Sequence, residues 1–340
     1  MLKQLVNECV IDLHIIPEGP ILIRSGVATI SGPNMACVRV WRNGREEVYL
    51  PGSSLKGVLR SHAERITRTL NETAACDPFA KEGPVTFCGN CFEAIKHGRK
   101  GIPERLKPHE LPDPIKKPGE LNRRVYADSC SICRLFGSTW YAGRLATADA
   151  YAVGEPPTPQ PRDGVGIDRF TGGSAPGVKF DLEVVTGGRF QTTLHLRNFE
   201  LWQLGLVGFL LQDLKDSLLR VGASKSRGLG KVRGEVQEIK LYYLGRDVPA
   251  PADGKFPICG VGALAGAALA EAYGMEPPYQ VMAELPAGVT PTSNGLRTTY
   301  VFPGDSFPWK EVGPIWVKRV EKYETPAAMA AFRKGAGGQK

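Results

Sequence analysis

Two Cys-x-x-Cys units place the strongest constraint on how this chain folds. Cys88 and Cys91 form the first unit, and Cys130 and Cys133 form the second. Two thiolate pairs of this spacing can close one tetrahedral zinc site, which fastens a loop-rich insertion to a folded body. Gly89 favours such a site, because a residue without a Cβ lets the backbone turn until both thiols of the first pair face one ion. The sequence therefore predicts a structural zinc bound by these four cysteines.

The long separation of the two units leaves other arrangements open. The four thiols are unrelated in one alternative, and in others Cys76 or His97 replaces a ligand. Five of the eight cysteines lie between Cys76 and Cys133, which is typical of metal ligands in a reducing compartment and not of a disulfide scaffold. The other three are expected to be ordinary buried thiols: Cys9, Cys37 and Cys259.

Length and hydropathy indicate a folded, cytoplasmic protein. A chain of 340 residues with 42% hydrophobic content can bury a substantial core. No stretch approaches the roughly 18 apolar residues of a membrane span, and the first residues do not form a signal peptide. The net charge of +8 permits contact with a polyanion, because lysines and arginines at phosphates release counterions.

The apolar periodicity predicts an α+β fold. Residues 4–30 alternate as two strands, and residues 55–70 carry one apolar helical face. Further elements are expected as strands at 180–186, 190–197 and 231–244, and as helices at 199–219 and 261–273. This order resembles an elaborated βαββαβ ferredoxin-like unit, of the kind that also underlies the RNA recognition motif. We expect this domain at 1–249, with an insertion near 76–134 and a hairpin near 154–180, and a C-terminal extension of unassigned role at 250–340.

The segment PGSSLKG at 51–57 is the second strong signal. Ser53 or Ser54 is expected to cap the helix, which leaves Lys56 and Arg60 one turn apart near its positive end. Such a helix start favours anions, whereas an ordinary capped helix with a solvated basic face is the alternative. The segment lacks the Walker A spacing, so nucleotide triphosphate hydrolysis is not expected.

Two later segments carry similar chemistry. In SKSRGLGKV, Gly228 and Gly230 allow close backbone approach while the basic side chains reach outward; a flexible basic turn is the alternative. In GIDRFTGG, Asp168 and Arg169 either pair as a salt bridge or leave Arg169 to touch a strand while Phe170 wedges between bases. No Ser/His/Asp arrangement is visible, and the five histidines are scattered.

The segments PGSSLKG, CRLFG, GIDRFTGG and SRGLGKV, in this order and spacing, resemble the RAMP superfamily. More narrowly, they resemble the repeated backbone subunit of type III CRISPR RNA-guided effector complexes, over residues 5–244. The resemblance implies a ferredoxin-like palm, a zinc-bearing insertion and a thumb hairpin at 166–177. It also implies an antiviral protein that polymerises along CRISPR RNA and presents it to target RNA. The expected partners are further copies or paralogous backbone subunits and other effector subunits, and no membrane.

The resemblance also implies which residues touch RNA. Phe170 would lie near a splayed nucleotide, and the grip on the guide would be largely indifferent to base sequence, because phosphates carry none. The residues carried over by motif are Ser53, Ser54, Lys56, Arg60, Arg134, Arg169, Phe170, Lys225, Ser226, Arg227 and Lys231.

Many members of the family cleave target RNA with an Asp in the loop before PGSSLKG. Here that loop is 32–36, and Asn34 holds the expected position. An amide neither binds a metal as a carboxylate does nor accepts a proton, so we expect no efficient cleavage and assign no catalytic residue. Magnesium would be needed only if the target is cut.

Two other functions remain open from the sequence. A stand-alone RAMP endoribonuclease that processes CRISPR transcripts needs a general base, and His14 is the early candidate, although it falls in the first strand. A zinc-containing RNA-binding module that acts alone is the third reading. A backbone subunit is expected to form a ladder of copies on long RNA, whereas an endoribonuclease or a lone RNA-binding module is expected to bind as a monomer.

Overall fold

The central feature of the fold is an antiparallel β-sheet with helices packed on one face. The computed structural model describes residues 4–26, 33–77, 88, 119–138, 141–245 and 248–324. The strands of this sheet are β1 Asn7–Pro17, β6 Leu145–Thr147, β7 Tyr151–Ala152, β10 Phe190–Arg197, β11 Val232–Leu244, β14 Thr292–Ser293 and β15 Arg297–Pro303. Their order is β14-β15-β11-β1-β10-β6, and β7 also pairs with β10.

Strand β1 lies in the middle of the sheet because its sequence alternates. Cys9, Ile11, Leu13 and Ile15 are buried on one side, and the intervening residues are half-buried on the other. The strand pairs antiparallel with β10 along one edge and with β11 along the other. This period of two fixes the register, since a slip by one residue would expose the apolar set.

The remaining strands form small hairpins outside this sheet. They are β2 Arg39–Arg42 with β3 Arg45–Val48, β4 Gly137–Ser138 with β5 Tyr141–Ala142, β8 Gln160–Ile167 with β9 Ser174–Val184, and β12 Lys255–Cys259 with β13 Gln280–Glu284. The β8–β9 pair is the protruding hairpin expected near 154–180.

The helices differ in how they are buried. Helix α1, Gly52–Leu70, buries one face through Leu55, Leu59 and Ala63. Helix α4, Leu201–Lys215, is buried on almost every side because it lies between the sheet and helix α7. The other helices are α2 Glu120–Ala127, α3 Ser131–Phe136, α5 Val261–Ala265, α6 Ala267–Ala272 and α7 Trp309–Glu321, and Glu72–Ala74 and Lys225–Arg227 are short 3₁₀ turns.

The α+β class expected from the sequence is confirmed, and most predicted elements are present within a few residues. The second strand predicted before residue 30 is wrong over its described part. Ile21 and Arg24 make only isolated bridges, to Val185 and Cys37, and the carbonyl of Leu22 accepts from the amide of Ala223. This apolar run is therefore a buried connection whose backbone bonds go to several neighbours.

The C-terminal region departs from the sequence prediction in two places. The helix expected over 261–273 is broken into α5 and α6 at Gly266, whose φ of 90° is left-handed. No helix was expected after residue 273, but α7 lies at Trp309–Glu321 with Pro314 inside it. Beyond the expected boundary at 246–254, β15 extends the same sheet alongside β11.

Candidate functional site

Four buried cysteines form a tight cluster between α1 and α3. The Sγ atoms of Cys76, Cys88, Cys130 and Cys133 all lie within 4.8 Å of one another. Cys130 begins α3, where its Sγ accepts from the amide of Cys133 at 3.4 Å. The amide of Cys130 in turn donates to the Sγ of Cys88 at 3.2 Å. Amide donors that point at sulfur stabilise thiolates, which are the form that binds a metal.

The electrostatics of the cluster favour a bound cation. Burial opposes ionisation of Cys130, but hydrogen bonds from Cys133 and Cys76 outweigh burial and hold its pKa well below the ordinary value. The hydrogen-bonded partner Cys130 and then Cys133 raise the pKa of Cys88, and Cys130 likewise raises that of Cys133. One thiolate thus suppresses the ionisation of its neighbours. A divalent cation would remove this conflict, and four sulfur donors so close together could hold a metal ion.

The cluster contains three of the four predicted ligands. Cys91 and His97 lie outside the described residues. Cys76, which the sequence offered only as a spare ligand, lies with the other three, and its Sγ is 3.6 Å from that of Cys133. Its position shortly after α1 could have indicated this role, because the end of α1 lies near the cluster.

A groove of about 940 Å³ opens beside the cysteine cluster. One wall is the outer face of α1, and the other is the segment from α3 to β5. The lining residues include Ser53, Lys56, Arg60, Ser61, Cys133 and Gly137. Two segments that resemble family motifs, PGSSLKG and CRLFG, therefore face each other across one groove.

The two basic residues of this groove differ in their partners. Arg60 Nη1 donates to the carbonyl of Gly137 at 3.1 Å, its Nη2 lies 3.5 Å from Cys133 Sγ, and its Nε donates to Glu64 at 3.0 Å. Lys56 is half-buried, and desolvation, followed by repulsion from Arg60, lowers its pKa. A bound phosphate would relieve both effects at Lys56.

The predicted cap of α1 is wrong. The helix begins at Gly52, and neither Ser53 nor Ser54 caps it; the Gly52 amide donates to Asp149 Oδ1 at 2.7 Å. A Cβ at residue 52 would lie 2.5 Å from the carbonyl oxygen of Thr147, so the close approach needs glycine. Ser53 is exposed and Ser54 is half-buried, and the carboxylate of Asp149 already lies at the start of α1, where an external anion was expected.

The glycine-rich loop at 222–231 lies next to α1 and the β8–β9 hairpin. Gly222 and Gly230 have left-handed φ angles of 89° and 90°, and a Cβ at either would collide with a backbone carbonyl. The charge of Arg65 on α1 contributes to the lowered pKa of Lys225, after desolvation. The guanidinium of Arg227 stacks over the ring of Phe180 at 5.1 Å.

The exposed residues of that loop are Lys225, Ser226, Arg227, Gly228 and Lys231. Lys231 is paired with Glu18 at 3.1 Å, an ion pair that is largely exposed to solvent. Such a pair is weak and exchangeable, so it leaves Lys231 available to a phosphate.

The tip of the β8–β9 hairpin presents an aromatic ring to solvent. Phe170 is fully exposed. Asp168 closes the turn beneath it, because its carboxylate accepts from the amide of Phe170 at 2.9 Å and from the hydroxyl of Thr171 at 3.1 Å. The carboxylate of Asp168 is thus engaged by the turn, and the structure gives no ion pair between it and Arg169.

The family model of the RAMP superfamily matches residues 15–233. The chain belongs to the RAMP superfamily. This membership supports a CRISPR-associated RNA-binding role. The match runs from the end of β1 to the start of β11, so the groove, the hairpin and the glycine-rich loop lie inside it, whereas β15 and α7 lie beyond it. No curated protein matches the chain. No helix among the described residues is both long and apolar enough to cross a membrane.

One of the RNA contacts predicted for this RAMP protein, Arg134, is buried in the structure. Arg134 is 4% exposed, and its guanidinium donates to the carbonyl oxygens of Ala127, Ser129 and Gly274. A guanidinium held by three buried acceptors has no surface to offer a phosphate. Arg134 is therefore a structural residue that ties α3 to the chain around it.

The loop that carries Asn34 lies at the base of the hairpin. Asn34 is exposed, and its neighbour Met35 exchanges backbone hydrogen bonds with Asp181 and Glu183 of β9, at 3.2 and 3.0 Å. Glu183 also accepts from the amide of Cys37 at 2.9 Å. These bonds hold the loop that carries Asn34 against the base of the hairpin.

Proposed function

We propose that this RAMP protein is a CRISPR RNA-binding backbone subunit of a type III antiviral effector complex in the cytoplasm. The observation that carries the proposal is the continuity of contacts between four separate sequence segments. Arg60 donates to Gly137 after α3, and Arg227 stacks on Phe180 of the hairpin. The charge of Arg65 on α1 is near enough to Lys225 of the glycine-rich loop to contribute to its lowered pKa. In this proposal these segments, which are far apart in the sequence, form one basic surface.

The sheet order supports a ferredoxin-like palm. Strands β11, β1, β10 and β6 are neighbours in that order, and a single small cavity is lined by β1, β10, α1 and α4. Both helices thus pack on one face of the sheet, as the βαββαβ arrangement requires. In this proposal the segment with the cysteines is the insertion and the β8–β9 hairpin is the thumb.

The guide would be held through its phosphates. The proposed contacts are Ser53, Ser54, Lys56, Arg60, Lys225, Ser226, Arg227 and Lys231, with Arg169 and Phe170 at the thumb tip. Lysines, arginines and hydroxyls bind phosphate without reading bases, so one subunit can grip any guide sequence. An exposed ring such as Phe170 would stack on or displace a base at each repeat along the guide.

We also propose that the cysteine cluster binds zinc as a structural ion. Four thiolates within reach of one centre suit a tetrahedral zinc site without an open position. The ion would join the end of α1, residue 88 and the start of α3, and would thereby fix one wall of the groove. Each of these residues would act as a ligand, and none would take part in a reaction.

Target cleavage by this copy is not expected. The position proposed for the family's catalytic Asp holds Asn34, which offers an amide oxygen and no ionisable group. The exposed surface around the hairpin would still present guide and target strands to each other. This chain would therefore serve as a guide-binding scaffold.

The test is the stoichiometry on RNA of increasing length. Purified protein is mixed with CRISPR RNAs that differ in spacer length, and particle masses are measured by mass photometry. A backbone subunit gives a mass that rises stepwise with length, and a double variant, Lys225→Ala with Arg227→Ala, weakens the whole ladder. A single bound copy at every length would contradict the proposal, and processing of a precursor transcript in the same samples would favour a stand-alone endoribonuclease.

A further inference from the structure

The C-terminal helix α7 lies outside the family match, yet it packs closely against α4, which lies inside the match. A Cβ at residue 205 of α4 would lie 2.3 Å from the carbonyl oxygen of Val312, and one at residue 208 would lie 2.7 Å from the Trp309 ring. Gly205 and Gly208 therefore permit a separation that larger residues would forbid. This close packing directs the last turn of α7 toward the cysteine cluster.

The last turn of α7 holds the start of α3. Arg319 is 7% exposed, and its Nη1 donates to Ser131 Oγ at 2.7 Å. Ser131 lies between Cys130 and Cys133 and is itself fully buried. The guanidinium also stacks over the Trp202 ring at 4.3 Å, and Nη2 reaches Glu276 at 3.3 Å. The position of Arg319 is thus fixed on three sides.

The same turn holds the other chain segment that leads to the cluster. Asn71 follows α1, and its Nδ2 donates to the carbonyl oxygens of Val320 at 3.1 Å and Tyr323 at 3.0 Å. Its Oδ1 accepts from the amide of Thr73 and so shapes the short turn that precedes Cys76. Helix α7 therefore fixes the chain on two sides of the cluster: at Asn71, which precedes the short turn before Cys76, and at Ser131, which follows Cys130.

We propose that α7 is the clamp of the metal site, so that metal occupancy and docking of α7 stabilise each other. The inference rests on the metal site proposed above. Ligand geometry is set by the groups around the ligands, and a helix that positions two ligand-bearing segments lowers the entropy cost of forming the site. Because linkage is reciprocal, a bound ion must also strengthen the docking of α7. This would give the C-terminal segment a role that the family match does not supply.

The first test is the rate at which zinc leaves the protein. Zinc-loaded protein is mixed with the chromophoric chelator 4-(2-pyridylazo)resorcinol, and zinc transfer is followed by absorbance. We expect Arg319→Met and Asn71→Asp each to lose zinc roughly tenfold faster or more, since loss of such supporting contacts costs about 10–100-fold in metal affinity. Asn71→Asp is the sharper variant, because it keeps the acceptor for Thr73 but replaces the donor to α7 with a carboxylate oxygen that repels the carbonyl oxygens of Val320 and Tyr323.

The control is Lys318→Ala, which changes an exposed residue of the same turn and should keep the wild-type rate. The reciprocal test is hydrogen exchange of wild-type protein before and after zinc removal. We expect faster exchange over 309–323 without zinc, and unchanged exchange in the β8–β9 hairpin. This measurement needs no variant, so it decides the matter even if Arg319→Met does not fold.

The failure of the clamp is distinguishable from the failure of the metal site. Wild-type protein that contains no metal after purification and does not take up zinc would overturn the metal site itself. The clamp alone would be overturned if the protein binds zinc but two results hold. Asn71→Asp would release zinc at the wild-type rate, and hydrogen exchange of α7 would be the same with and without zinc.

Discussion

Arg60 Nη2 lies 3.5 Å from the Sγ of Cys133, so one guanidinium joins the basic face of α1 to the cysteine cluster. The other nitrogens of Arg60 are held by Gly137 and Glu64, and the side chain is 29% exposed. Lys56 lies one turn earlier on the same face and lines the same groove. The proposed RNA groove and the proposed metal site therefore share one wall, and Arg60 belongs to both.

This shared residue separates two kinds of effect. We expect Arg60→Met to weaken guide binding, to reduce the salt slope of binding by roughly one, and to speed zinc release, because the donor to Cys133 is lost. Lys56→Met should reduce the salt slope alike but leave zinc release unchanged. Filter binding at several salt concentrations measures the salt slope, and a chelator challenge measures the rate of zinc release. Equal zinc release in both variants would contradict the assignment of Arg60 to the cluster.

Removal of the cysteine cluster should destabilise the whole fold. We expect purified wild-type protein to contain about one zinc per chain, and Cys130→Ser with Cys133→Ser to contain none and to lose roughly 5 °C or more in Tm. The physical reason is the loss of a cross-link between α1, residue 88 and α3. Elemental analysis and calorimetry measure this. Cys37→Ser, a buried thiol outside the cluster, is the control and should keep its zinc.

Guide binding should weaken at alkaline pH through Lys56. Burial and Arg60 lower the pKa of Lys56 below its ordinary value of 10.5, whereas a bound phosphate favours the charged form and raises it. Binding therefore requires the protonated amine, and affinity falls as pH rises through the lowered pKa of the free protein. Lys56→Arg stays charged and should remove this fall. The test measures guide affinity as a function of pH for both proteins, with a 2′-O-methylated guide that resists alkali. Identical pH profiles for the wild type and Lys56→Arg would refute the prediction.

The residue at position 34 is proposed to determine whether this chain can cleave target RNA. We expect the assembled particle with wild-type chain to leave complementary RNA intact in magnesium, and Asn34→Asp to cut it at regular intervals, because a carboxylate can bind the ion. Denaturing gels of end-labelled target measure the products. Asn34→Ala is the control and should stay inactive. Efficient cleavage by the wild-type chain would place the active loop elsewhere.

The exposed ring at the hairpin tip should affect the guide's conformation more than its affinity. We expect Phe170→Ala to change guide affinity by less than about fivefold, since stacking of one base contributes about 1–3 kcal/mol only when it is complete. The regular pattern of unstacked bases, read by 2-aminopurine fluorescence along the guide, should disappear. Val178→Ala, an exposed apolar residue of the same hairpin, should preserve it. A pattern unchanged by Phe170→Ala would remove the ring from this role.

Local patterns in the sequence were enough for much of the fold. The period of two in β1 and β10 and the apolar face of α1 are set by neighbouring residues, so each strand or helix is readable from its own segment. The groove residues could also be predicted from the sequence, because they lie within short family motifs such as PGSSLKG and CRLFG. Helix α7 was missed because Gly313 and Pro314 weaken any local helix signal, and its packing against α4 overrides that preference.

What the tertiary structure decided are relationships between distant residues. Cys76 lies with Cys133 only because α1 ends beside α3, and Arg134 is buried only because three carbonyl groups surround it. Neither fact can be predicted from a repeating pattern in the sequence, because each depends on where separate helices and loops meet in the fold. The sequence by itself thus determined the α+β elements and the basic and thiol chemistry of this RAMP protein. The fold alone decided which of those side chains face the groove, which face the cluster and which are buried, because packing brings together residues that the chain keeps apart.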